Sequence, residues 1–223
     1  MTMANRKSGV TARRDGQPQQ LNLGDMLIVG GPPPAKLVKA LAVIADQLHP
    51  SFDRQADLKP FVSRKSCVLC SLAVRDFLVR IGFNARVRPV CAVLWAEKNG
   101  ELVHSAGIGV PNCKSKADGW NGHMVATVDD WLIDPTLYQI KRPAWPDLPG
   151  MMALPLHRRP WQRGWSQLKV MASAGAGEDE FSIGWLDNPK NKTWQLGGDA
   201  QDATRRAPVI AAMVERFGAW GGR

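Results

Sequence analysis

Apolar residues recur every three to four positions from Ala35 to Leu48 (Leu37, Val38, Leu41, Ile44, Ala45, Leu48). That spacing predicts a helix, with Pro32-Pro33-Pro34 before it and Pro50 after its end. A polar connection follows from Ser51 to Ser66, with Phe61-Val62 inside it. The next apolar set is Val68, Leu69, Leu72, Ala73, Phe77, Leu78 and Ile81. These positions run nearly all the way round a helix from about Cys67 to Ile81, which predicts a central helix rather than a superficial one. Ser66 is its candidate N-cap and Gly82 its stop. The period then changes. Ala85 to Ala96 reads as a strand, Asn99-Gly100 as a hairpin turn, and Glu101 to Ile108 as the returning strand. After a loop from Pro111 to Gly122, His123 to Val128 and Trp131 to Thr136 form a second strand pair around Asp129-Asp130. Phe181 to Trp185 and Lys192 to Leu196 are short strand candidates. Ala207 to Phe217 is a terminal helix with Val209, Ile210, Met213, Val214 and Phe217 on one face. The sum is an α+β domain, a central helix packed on an antiparallel sheet.

Composition narrows the class. The chain has 223 residues, 44% apolar and 22% charged, which is enough for one cored domain. Its 21 glycines and 16 prolines, about one residue in six, favour turns and long loops over a helical bundle. No apolar stretch approaches the length of a membrane span. Met1 to Gln20 is polar, without the apolar core of a secretory signal, and reads as a flexible basic arm ahead of a single domain over 21–223. Four cysteines are too few for a disulfide scaffold, so reduced thiols and a cytoplasmic location are expected. The charge of +9 is spread along the chain with no run of five bases. It reads as a solubility property or a preference for acidic partners; nucleic acid and membrane are not the expected partners. Met26 to Val29 is a short apolar run closed by Gly30-Gly31 and three prolines. It lacks the Gly-Lys-Ser/Thr ending of a phosphate loop.

Three residues carry candidate chemistry. Cys67 opens the central helix, where free N–H groups and aligned dipoles bias a thiol toward thiolate and can hold an oxyanion. With a two-residue turn at Asp129-Asp130, Val128 faces Trp131, Val125 faces Asp134, and His123 faces Thr136. His123 and Asp134 then become diagonal neighbours on one face, about 7 Å apart at the backbone. The other face (Met124, Ala126, Val128, Trp131, Ile133) is core. An unpaired charge in so apolar a hairpin is costly, and pairing the acid with the imidazole removes that cost and orients the ring.

Rival readings attach to the same residues. A helical cysteine can simply be a small buried side chain. Cys67-x-x-Cys70 fits a thiol–disulfide motif. Cys67, Cys70, Cys91, Cys113 and His104 could be a zinc set, but without a second close pair the spacing is poor. His104, nominally opposite Trp95, reads as a strand residue. His49 sits at a helix end where a cation suits the dipole. His157, beside Arg158 and Arg159, reads as exposed. Six of the nine tryptophans (Trp145, Trp161, Trp165, Trp185, Trp194, Trp220) follow residue 140 and read first as packing residues. Some could line a groove with Arg158, Arg159 and Arg163. Trp120 borders a cleft or anchors its loop.

The order Cys67, His123, Asp134 resembles the transglutaminase-like branch of the papain-like cysteine enzymes. Gly82-Phe83-Asn84-Ala85-Arg86 begins fifteen residues after Cys67 and is similar to the segment that ends that family's helix; the register selects Cys67 over Cys70. Gly122-His123 and Trp131-Leu132-Ile133-Asp134-Pro135-Thr136 resemble the family's strings around its histidine and aspartate. Arylamine N-acetyltransferases share the core, and His123-Met124-Val125 is similar to theirs. The likeness spans about Cys67 to Tyr138, a third of the chain. Cys70 and Ser71 depart from the residues that usually follow the nucleophile, and Arg64-Lys65-Ser66 replaces the acetyltransferase's Arg-Gly-Gly. The resemblance implies a papain-like core and a Cys67-His123-Asp134 triad. It implies attack on an amide or isopeptide of a peptide, protein or other acyl substrate through a thioester, with no cofactor or metal. Acetyltransfer, or an inactive binding module using the Trp- and Arg-rich C-terminal part, are the alternatives.

Overall fold

The computed structural model describes residues 20–56, 58–59, 61–98, 101–109, 120–140, 148–156, 159–160, 169–175 and 181–220. The expected arm falls outside this set except for Gln20, which opens the first strand. The described residues form ten strands: β1 (Gln20–Leu23), β2 (Met26–Val29), β3 (Ala85–Lys98), β4 (Glu101–Ile108), β5 (His123–Val128), β6 (Trp131–Asp134), β7 (Met151–Pro155), β8 (Arg159–Pro160), β9 (Lys169–Gly175) and β10 (Phe181–Asp187). The helices are α1 (Ala35–Asp53), α2 (Cys67–Arg80), the short α3 (Gly198–Gln201) and α4 (Ala203–Ala219). All strands join one sheet in the order β1-β2-β7-β6-β5-β3-β10-β9-β8, with β4 also paired to β3. The molecule is a mixed α+β fold. Its sheet is antiparallel except that β2 and β7 run parallel, a departure from the all-antiparallel expectation.

Burial decides where α1 and α2 go. In α2 every residue from Cys67 to Val74, then Phe77 and Leu78, is buried. Each large apolar side chain removed from water in this way contributes about 1.5–3 kcal/mol. Leu69, Cys70, Ala73, Val74, Phe77 and Leu78 pack with residues of α1, α4 and the near face of the sheet. Gly82 stops the helix in a left-handed conformation (φ +85°), and the N–H of Phe83 returns to Leu78 O at 2.9 Å. The expected stop at Pro50 is overridden. α1 runs on to Asp53 because Phe52, only 1% exposed, reaches the core from the helical position, while Pro50 faces solvent. Proline there removes one ladder hydrogen bond, which the added burial offsets. Lys192 to Leu196 is not a strand either: Thr193–Leu196 forms a 3-10 turn. β1, β2, β7, β8 and β9 are strands that the sequence pattern does not predict.

Strands β5 and β6 pair as expected, Val128 with Trp131 and Ala126 with Ile133. Both faces of this hairpin are covered, a correction to the one-sided core. Ala126, Val128 and Ile133 meet the helices. Val125 and Leu132 pack on the far side with Val90, Leu94, Met152, Leu154 and Trp185. A bulge in the β3–β4 pair places His104 opposite Ala96 rather than Trp95.

Candidate active site

The hairpin delivers the acid and the imidazole to one point. His123 Nε2 lies 2.7 Å from Asp134 Oδ2, and both side chains are fully buried. The carboxylate has two further donors. Trp185 Nε1–H reaches the same Oδ2 at 2.7 Å, and the Thr136 N–H reaches Oδ1 at 3.0 Å. Three donors into a fully buried carboxylate fix its rotamer.

The thiol arrives from the other layer. Because only Ala126 to Val128 of β5 pair with β6, the backbone of Met124 lies beyond that ladder. α2 takes it up: Ser71 Oγ–H donates to Met124 O at 2.8 Å, and the Met124 N–H acts on the Cys67 sulfur. The helix start is therefore held against the first residues of β5. With Nε2 occupied by Asp134, His123 presents Nδ1 to Cys67. His123 Nδ1 and Trp120 Nε1 are buried and neither has a partner at full hydrogen-bond geometry; the Cys67 sulfur lies beside both. Cys67 is 5% exposed, packed with Val68, Leu72 and Met124 under Trp120, Trp194 and Ala200.

The electrostatics favour a separated charge. Burial pushes the Cys67 thiol up, but the His123 ring by hydrogen bond and charge, the Trp120 indole and the Met124 N–H together bring it below its ordinary 9.0. Burial opposes charge on His123, yet the Asp134 carboxylate by charge and hydrogen bond, with the sulfur adding to it, raises the imidazole to about 10. Both shifts act in the same sense, biasing the proton toward the imidazole and away from the sulfur.

Trp120 owes its place to Gly122. A Cβ on Gly122 would sit 2.6 Å from the Trp120 ring and 3.1 Å from Asn191 Nδ2. Gly122→Ala is therefore expected to push the indole off the sulfur. Alkylation of Cys67 on the rising limb of its pH profile should slow roughly tenfold with the melting temperature nearly unchanged, because one unit of thiol pKa is a tenfold change in thiolate where the pKa exceeds the pH. Equal alkylation rates in Gly122→Ala and the parent would remove Trp120 from the site.

The structure distributes the other candidates as follows. Cys70 is buried, with its S–H directed to Ser63 O at 3.1 Å; burial and then the Cys67 charge push its thiol well up. Cys91 packs with Leu186 and receives Asn188 Nδ2–H at 3.6 Å. Among the described residues no three potential ligands gather into a metal site, and Cys67, Cys70 and Cys91 are not in disulfides. Cys113, His157, Arg158, Arg163, Trp145, Trp161 and Trp165 lie outside the described residues, as do the side chains of His104 and Arg159. His49 is not a helix-end cation. It is a buried ring held near pKa 4, chiefly by its burial. Ser66 precedes α2 but its hydroxyl does not cap the helix; it bonds Asp199 of α3. Asp129 takes the left-handed turn conformation (φ +48°) expected of a turn former.

Two contributors escaped sequence analysis. Trp185 stood among the packing tryptophans, and its alternation within β10 was the only signal of its direction. Trp194 sits on the 3-10 turn mistaken for a strand. Comparison with protein-family models, with curated proteins and with solved structures finds no match to this chain. No described helix is long and apolar enough to cross a membrane.

Proposed function

We propose that this chain is a cysteine-dependent acyl enzyme of transglutaminase-like type on a papain-like core, cleaving an amide or isopeptide bond. The observation that carries this is the alignment of a 2.7 Å Asp134–His123 pair with the thiol that opens α2. The Cys67 thiolate attacks the amide carbonyl carbon and forms a tetrahedral oxyanion. Its oxygen is met by the Cys67 backbone N–H at the helix start and by Trp120 Nε1–H, which turns from the sulfur to the oxyanion as the sulfur loses its charge. The His123 imidazolium gives its proton to the leaving amine as the C–N bond breaks, leaving a thioester. The neutral ring then takes a proton from water or an incoming amine. That nucleophile displaces the sulfur, giving hydrolysis or acyl transfer. Asp134 keeps the ring oriented and stabilises its charge throughout. Hydrolysis of a peptide or isopeptide is the first choice, since nothing marks an acyl-carrier site; acetyltransfer is the enzymatic alternative.

One observation favours a second reading, an inert binding module on the same scaffold: the thiol is only 5% exposed and the ring not at all. Iodoacetamide labelling from about pH 5 to about pH 9, with adducts mapped by mass spectrometry, separates the two. Selective Cys67 modification well below about pH 8.5, lost in His123→Ala, is expected. Slow, even labelling of all four thiols would favour the inert scaffold. Turnover of a peptide amide against an acyl thioester then separates hydrolase from transferase.

A further inference from the structure

Two buried groups near the site, His49 and Cys70, take no part in the chemistry above. They belong to one chain of hydrogen bonds. His49 Nε2 is 2.9 Å from Pro135 O, and its Nδ1 is 2.9 Å from Ser63 Oγ. A carbonyl oxygen can only accept, so Nε2 carries the ring's proton and Nδ1 accepts the Ser63 hydroxyl. Ser63 O in turn accepts the Cys70 S–H at 3.1 Å. His49 and Ser63 are each 1% exposed. The low pKa of His49 and the high pKa of Cys70 keep the first a neutral acceptor and the second a protonated donor at neutral pH.

The ends of this chain matter. Pro135 follows Asp134 directly. Ser63 opens the 3-10 turn Ser63–Lys65 that leads into Cys67, and Cys70 lies one turn inside α2. His123 and Asp134 are fixed to each other by one hairpin. Cys67 is borne by a helix of the other layer, so its distance to the imidazole depends on how the layers are tied. Beside the Ser71–Met124 hydrogen bond at β5, the His49 bridge is a second polar tie, on the Asp134 side of the site. Tyr138 packs edge-on against the His49 ring, with centroids 5.2 Å apart. Gly150 leaves room for that tyrosine, since a Cβ there would fall 2.0 Å from its ring.

We infer that His49 is a positioning residue for the thiol: through Ser63 and Pro135 it locks the turn before Cys67 to the turn after Asp134. The inference rests on the triad proposed above. Its test is the pH profile of Cys67 alkylation in the full chain, with melting temperature measured in parallel. The unmodified protein is profiled first. An ordinary thiol profile there would overturn the triad itself, and this inference with it, before any His49 variant is considered. Given an early profile, His49→Phe keeps a ring but has no donor or acceptor. The profile should move up by about one unit, so that alkylation on its rising limb, below the midpoint, falls about tenfold. His49→Gln can still donate to Pro135 O and accept from Ser63, so its alkylation rate should return to within about threefold of the parent. Ser63→Ala removes a single hydroxyl and should shift the profile the same way by about threefold; it decides the matter if His49→Phe does not fold. A profile unmoved in the folded variants, with only the melting temperature lowered, would overturn the inference. So would a shift in His49→Phe that His49→Gln fails to reverse.

Discussion

Asp134→Asn is expected to lower turnover about 10⁴-fold and to destabilise the fold by about 3–5 kcal/mol, although the side chain hardly changes shape. The reason lies in its three partners. Oδ2 accepts from His123 and Trp185, and Oδ1 accepts from the Thr136 N–H. An amide offers one oxygen. With the NH₂ at the Oδ1 position one buried hydrogen bond becomes a clash of like dipoles, and with it at the Oδ2 position two do. The imidazolium also loses its counter-charge, so the proton returns to the sulfur and the thiolate is lost. For a chain of this size the destabilisation corresponds to a fall in melting temperature of about 10 °C. Calorimetry and the Cys67 alkylation profile check the two effects together. A melting temperature within about 3 °C of the parent, with the profile unmoved, would mean that the buried carboxylate supports neither the ring nor the thiol.

Stability is expected to fall on both sides of neutrality, through different residues. His49 has its folded pKa lowered from 6.5 to about 4, principally by burial; Arg64 pushes the same way, and the Pro135 carbonyl, Asp53 and Asp25 oppose it. The unfolded chain therefore binds the extra proton first. Stability present above pH 6.5 is lost as pH falls toward 4, by about 3 kcal/mol in all. Cys67 has the same sign: its depressed thiol pKa contributes stability that is present above pH 9.0 and is lost as falling pH protonates the thiolate. His123 has the opposite sign. Its pKa is raised to about 10, so its contribution is whole below pH 6.5 and is lost as pH rises through 10. The two shifts oppose each other: the raised imidazole pKa makes the folded ring keep a proton that the unfolded ring gives up, and the lowered thiol pKa makes the folded sulfur release one that the unfolded thiol keeps. The thiol therefore offsets part of the alkaline loss in the parent. In Cys67→Ala that offset is gone, and the alkaline decline, which starts above about pH 6.5, should be steeper. Denaturant midpoints measured across this range decide it. Superimposable alkaline arms for the parent and Cys67→Ala would show that the sulfur and the imidazole do not share a proton.

Much of the candidate site follows from local rules. The 3.6 period places α2, and its first residue is the thiol. The two-residue turn at Asp129-Asp130 fixes the pairing of Val128 with Trp131, and alternation then puts His123 and Asp134 on the same face. These rules act between residues close in sequence, so the chain carries them without knowledge of the whole fold. The sequence did less well where burial competed with a local signal. Pro50 marks a helix end, yet Phe52 finds the core and the helix continues.

By itself the sequence determined the helix that begins at the thiol and the hairpin that joins acid to imidazole, because periodicity and turn geometry are set by neighbours. Only the tertiary structure decided what surrounds them. Trp185 comes to Asp134 from 51 residues away and His49 to Pro135 from 86, each brought there by strand order and layer packing. The parallel β2–β7 pair and the seating of Cys67 against β5 arise in the same way, from where buried surfaces can meet once all the elements are assembled.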